Sequence, residues 1–186
     1  MTRLAHRSTR GFSLVEALIA AGLVSTVIVS LGRLVIVATT ANRTARAATL
    51  ATLIAVEKVE QLHGLLWAVD PSGVSIADTV SDLAMMPDQP GGGGLSLSPS
   101  GALQQNVNGF CDFFDSDGRA LGGGPAPPPG TYYVRRWSIE PLEASPDRTL
   151  LLRVLVTEWR GQLPQSSGAR LPGDVRFVSI KTRKAV

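Results

Sequence analysis

Side chains that carry chemistry are scarce in this chain. One cysteine, Cys111, stands among 186 residues. It has no partner for an intrachain disulfide and no metal-ligand spacing around it, so it is expected to be a small buried apolar residue. There are two histidines. His6 lies in a basic N-terminal stretch, and His63 is expected at a helix end as a surface or capping residue. No nucleophile elbow or zinc spacing occurs, and the glycines at 91–94 lack the Lys-Ser/Thr that completes a phosphate loop. The expectation is a non-catalytic protein that uses no cofactor and no metal.

Acids are also missing from the first part of the chain, where Glu16 is the only one before Glu57. The formal charge is +3 and the pI about 9.5. That excess is local, because Arg3, Arg7 and Arg10 precede any acid and removing residues 1–11 leaves a neutral remainder. A neutral remainder gives no electrostatic case for nucleic-acid binding. Arg33, Arg43 and Arg46 leave a local basic patch to consider.

Between residues 12 and 32 the one charged side chain is Glu16. A helix of about 20 apolar residues spans a bilayer. A secretory signal peptide would use Ala45-Arg46-Ala47 as a small-x-small cleavage site. The apolar run is too long for that reading, carries an acid near its start and ends well before the site. A twin-arginine signal fails because no two arginines are adjacent before the run. A plain signal anchor would keep Arg3, Arg7 and Arg10 in the cytoplasm. It leaves Glu16 unexplained, since a carboxylate in an apolar helix costs about 2.5–3.5 kcal/mol on insertion scales.

A third reading accounts for both the basic leader and the acid. The segment Arg10-Gly11-Phe12-Ser13-Leu14-Val15-Glu16, continuing through Ala17-Leu18-Ile19-Ala20, resembles the cleavage and methylation signal of type IV prepilins. The resemblance implies a leader of residues 1–11, a cut between Gly11 and Phe12 by a prepilin peptidase, and N-methylation of Phe12. Glu16 becomes the fifth residue of the mature chain. The new α-amine has an unperturbed pKa of about 7.7–8.0 and is largely cationic at neutral pH. Glu16 of one subunit would pair with the Phe12 amine of its neighbour, and pairing of two costly charges disfavours misregistered helices. Partners implied are the peptidase, other pilins through helix packing, and the inner membrane.

The helix is expected to run far past the membrane, from about residue 13 to 66, because no proline precedes Pro71. That is on the order of 80 Å at 1.5 Å per residue. Residues 12–37 form its membrane or filament-core half and 38–67 an amphipathic half. Leu50, Leu53, Ile54, Val56, Val59, Leu62 and Leu66 fall near helical spacing. Gly64 and Asp70-Pro71 mark the end.

Residues 68–186 are expected to form the head, irregular up to 130 except for a short strand at 110–114. An acidic turn follows at Asp115-Ser116-Asp117-Gly118. It fails the EF-hand template, which needs ligands at positions 1, 3, 5 and 12 around the glycine. A plain Asp-Gly turn is favoured, with a cation on Asp112, Asp115 and Asp117 left open. Strands are expected at 131–139, 149–159 and 175–182. In the second, Leu150, Leu152, Val154 and Val156 share one face. Pro141 and Ser145-Pro146-Asp147 supply the reversal. Helix first and meander last gives α+β. By resemblance this is the pilin fold, a long N-terminal helix packed on a small antiparallel sheet.

Two further likenesses narrow the subfamily. Ala55-Val56-Glu57-Lys58-Val59-Glu60-Gln61-Leu62 resembles the Glu-Lys segment of V-type pilus-modification minor pilins and of I-type minor pseudopilins. A plain solvated helix face is the alternative for that run. Tyr133-Val134-Arg135-Arg136-Trp137-Ser138-Ile139 looks like the V-type C-terminal strand. Gly32 and Arg33 stand where many major pilins have a helix-breaking proline, which points to a minor subunit. The expected function is a minor pilin in pilus assembly and priming. The alternatives are a minor pseudopilin of type II secretion and an uncleaved membrane-anchored binding module. The expected location is the inner membrane, single-pass with the C-terminal domain periplasmic, and then the pilus or pseudopilus.

Overall fold

The structure, a computed structural model, describes residues 13–79, 93–159 and 173–185. One helix, α1 (Leu14–Gly64), runs for 51 residues. Alanine and leucine favour it, and no proline interrupts it. The chain divides after Thr44 into two compact units. In the first, the described residues belong almost entirely to α1. Among the described residues, the second holds the remainder of α1 and eight strands.

The strands are β1 (Trp67–Val69), β2 (Ser75–Ala77), β3 (Cys111–Phe114), β4 (Ala120–Gly123), β5 (Tyr133–Pro141), β6 (Thr149–Glu158), β7 (Val175–Thr182) and β8 (Lys184–Ala185). Five of them form an antiparallel sheet in the order β4-β3-β5-β6-β7. A long helix with this sheet makes the fold α+β. A second sheet has the order β2-β1-β8, with β1 and β8 parallel, so the head is not purely antiparallel.

The region expected to be irregular contains β1, β2 and β4. The first two are three-residue strands, too short to show alternation. Glycine hides β4, yet Gly123 is required there, because a Cβ would lie 2.8 Å from the Cys111 carbonyl oxygen. The Asp115 turn joins β3 to β4. Asp115 Oδ1 accepts from the amides of Asp117 and Arg119, both at 2.8 Å, and Gly118 takes φ +81°. These bonds hold the Asp115 carboxyl below its usual range. Pro141 ends β5 opposite Leu150 instead of sitting in the reversal, and a strand end tolerates its missing N–H.

In β6, Leu150, Leu152, Val154 and Val156 are buried, while Leu151, Arg153 and Leu155 on the opposite face are only partly so. The buried face meets α1 through Ala51, Ile54, Ala55 and Leu62, together with Phe114, Tyr133, Trp137 and Ile139. Each large aliphatic side chain buried this way contributes about 1.5–3 kcal/mol. The helix face differs from the expected one. Leu53 and Val56 are exposed, and alanines 51 and 55 take the contact. Small side chains let the helix backbone approach the sheet.

Lys58 lies on this buried face and is 0% exposed, so the Glu-Lys run is not a solvated face at its lysine. Its ammonium is 3.9 Å from Asp112 Oδ2 and 4.0 Å from the centre of the Trp137 ring. Arg135, also 0% exposed, holds Asp112 with two bonds, Nε to Oδ1 at 2.9 Å and a second nitrogen to Oδ2 at 2.6 Å. It also donates to the Ile54 carbonyl at 2.7 Å. Asp112 is thus committed to the helix–sheet contact, which separates it from Asp115 and Asp117 as a cation ligand. At the helix C-terminus, Lys181 Nζ donates to the carbonyls of Leu62 (3.2 Å), His63 (2.7 Å) and Leu65 (2.7 Å). A cation there satisfies orphan carbonyls and complements the helix dipole. His63 sits 2.7 Å from Ser179 Oγ, joining the same helix end to β7.

Asp112→Ala removes the carboxylate that Arg135 holds by two bonds and Lys58 faces, leaving Arg135 its 3.4 Å contact with Glu57, and should cost about 3–5 kcal/mol. Lys58→Met leaves the bidentate pair intact and should cost far less. Denaturation of the full chain in detergent, followed by tryptophan fluorescence, checks this order, and equal losses would refute it. Cys111 is buried, donates from Sγ to the Gly124 carbonyl at 2.9 Å, and its thiol is pushed from 9.0 to about 11, chiefly by burial. Below pH 9.0 the thiol is protonated in folded and unfolded chains alike, and above it the unfolded chain ionises first. Stability should therefore fall as pH rises from 9.0 through about 11, and Cys111→Ala should remove that part of the decline. A pH series of unfolding midpoints for both chains decides it.

Candidate functional site

The first unit holds the feature least explained by folding. Residues 13–46 of the chain are exposed along the whole of their length. The large side chains Leu14, Leu18, Leu23, Val24, Val27 and Ile28 stand 57–78% exposed. They point in every direction around α1. A helix apolar on all sides belongs in lipid or inside a helical assembly. The helix is long and apolar enough to cross a membrane.

Its polar atoms suit such surroundings. The hydroxyls of Ser25, Thr26 and Ser30 donate back to the carbonyls of Ala21, Gly22 and Thr26 at 2.8–2.9 Å. Each is satisfied within the helix, as hydrocarbon requires. Gly22 and Gly32 meet nothing within 4 Å of a built Cβ, so they lie as open, flat positions on the helix surface.

Glu16 occupies the first turn, where the helix dipole favours a negative charge. It is exposed, and among the described residues it makes no hydrogen bond or ion pair. The amide of Ala17 donates to the Ser13 carbonyl at 3.1 Å, so regular helix is established across Glu16. Gly11 and Phe12, the expected cleavage and methylation residues, lie outside the described residues. The structure therefore places Glu16 and leaves the pair Gly11 and Phe12 aside.

Sequence reasoning missed the Lys58–Asp112–Arg135 network. One signal was available, since Lys58 falls in phase with Ala51, Ile54, Ala55 and Leu62 on the apolar stripe. Asp112 and Arg135 carried no comparable mark. This network lies in the helix–sheet contact, where Lys58 and Arg135 are fully buried. Among the described residues no group of three or more His, Cys, Asp and Glu gathers as a metal site.

Comparison with family models, curated proteins and solved structures returns no match.

The apolar segment yields a direct expectation. The full chain should stay with the membrane pellet after an alkaline carbonate wash, and deletion of residues 14–37 should release it to the supernatant. Release of the intact chain by carbonate would refute membrane insertion.

Proposed function

We propose that this chain is a minor pilin of a type IV pilus, cut between Gly11 and Phe12 by a prepilin peptidase and assembled through α1. The observation that carries the reading is Glu16, which makes no hydrogen bond or ion pair among the described residues and lies in the first turn of a helix whose first half is exposed and apolar on all sides. The prepilin-like residues 10–20 surround it in the sequence. A long helix whose second half packs on a small sheet suits the pilin fold.

In this mechanism Arg3, Arg7 and Arg10 stay in the cytoplasm and the head enters the periplasm. Cleavage after Gly11 creates the Phe12 amine, which is then methylated. The amine of one subunit meets Glu16 of the next, and each neutralises a charge that is costly alone in an apolar bundle. The head supplies surface and stability but no catalytic chemistry. Because residues 55–62 resemble both V-type minor pilins and I-type minor pseudopilins, type II secretion is the second reading.

The test is intact mass of the protein from cells with and without the peptidase. A mature N-terminus at Phe12, with or without one methyl, is expected only when the peptidase is present. An uncleaved chain in both strains, or a cut near Ala47, would overturn the proposal. Glu16→Ala should leave cleavage intact and reduce filament incorporation, read by immunoblot of sheared filaments. Deletion should abolish piliation if the filament is a pilus, and strand secreted enzymes in the periplasm if it serves secretion.

A further inference from the structure

We propose that Arg33 binds lipid phosphate on the far side of the bilayer and thereby sets the depth at which α1 sits. This rests on the membrane-spanning reading of α1, and not on cleavage or filament assembly.

Arg33 interrupts an apolar run that otherwise continues through Leu34, Val35, Ile36 and Val37, each 60–68% exposed. It is itself exposed and has no hydrogen bond or ion pair with any described residue. The nearest acid before it is Glu16. At 1.5 Å per residue the two lie about 25 Å apart along the helix and point about 100° away from each other, so they cannot pair within one helix. The next acid, Glu57, is further still along the helix. Arg33 thus finds no anion among the described residues.

The length of the run says where Arg33 lies. Residues 14–32 rise about 28 Å, close to the roughly 30 Å of bilayer hydrocarbon. With Leu14 at the near border, Arg33 arrives at the far one, at the level of the phosphates. Its aliphatic stem lies along apolar surface while the guanidinium reaches the headgroups. The planar fork donates two parallel bonds to a phosphate, which an ammonium does not match. Without this charge the apolar run would extend to Ala38 and rise about 37 Å, longer than the hydrocarbon, so the helix would sink or tilt.

The experiment uses the full chain in a Cys111→Ala background, with single cysteines placed in turn at positions 34–42. The chain is reconstituted in phosphatidylcholine–phosphatidylglycerol vesicles, and a charged maleimide is admitted to both faces by freeze–thaw. Labelling of the chain with native Arg33 should begin within about two residues of position 33. Arg33→Leu should move that onset by about one helical turn toward the head, and Arg33→Lys by less. In phosphate-free galactolipid vesicles the chain with Arg33 should behave like Arg33→Leu. An onset that ignores Arg33→Leu overturns the proposal. So does an onset that moves with Arg33→Leu but is the same in both lipids, because the guanidinium then depends on something other than phosphate. Failure of the chain to float with vesicles is a separate result, which refutes the membrane-spanning reading itself.

Discussion

The Asp112 carboxylate, buried between Arg135 on the sheet and Lys58 on the helix, is the contact on which the head depends. Its two oxygens accept from Arg135, and one faces the lysine ammonium at 3.9 Å. Burying three charges is expensive, and their attraction returns that cost only when geometry and hydrogen bonds are complete. Here the geometry ties together elements far apart in sequence. Arg135 also reaches the Ile54 carbonyl, so one guanidinium is bonded to strand β3 and to α1 at once. Only one rotation of the helix presents both Lys58 and that carbonyl to the sheet. The network selects the register of α1 on the sheet, and the aliphatic core of Ile54, Leu62, Leu152, Val154 and Val156 then supplies the driving force.

The end of the helix is fixed by a separate device. Lys181, from β7, collects three carbonyls that the last turn of α1 leaves without partners. His63 meets Ser179 two residues earlier on the same strand. The edge strand of the five-stranded sheet therefore closes the helix. Immediately beyond it, β8 pairs with β1, which follows the helix in the chain. The Arg183 guanidinium stacks over Trp67 at 4.9 Å in the same region. Start and finish of the head are thus joined around one helix terminus.

Much of this architecture was legible where burial imposes a simple period. The alternation of β6 exposes its core face in the sequence, and β7 occupies the residues expected of it. Where two elements meet closely the signal weakens. Leu53 and Val56 look like core in a helical count, yet Ala51 and Ala55 carry the contact, because a sheet approached closely favours small residues. The strands β1, β2 and β4 are short or glycine-rich, and strand propensity says nothing about them. Glu16 stood out as a candidate because a carboxylate inside an apolar run is costly. The Asp112 network did not, since its members are 23 to 77 positions apart and pairing across such distances leaves no local pattern.

The two units differ in how their charges are satisfied, and that difference separates stability from function. In the head, Lys58, Arg135, Asp112 and Lys181 are buried, and each is met by groups of the same chain. Changing one of them damages the fold, whatever the protein does. In the apolar segment Glu16 and Arg33 are exposed and unmet within the described chain. Neither makes a hydrogen bond or ion pair among the described residues, so replacing either removes no such bond from the fold. What such a replacement alters is the interaction with whatever surrounds the helix, whether lipid or another helix. A carboxylate near one end and a guanidinium about 25 Å further on lie at different depths along the helix. On the proposed reading, one meets the amine of a neighbouring helix and the other the far border of a bilayer. On that reading the helix serves two surroundings in succession, and its charges, not its apolar residues, distinguish them.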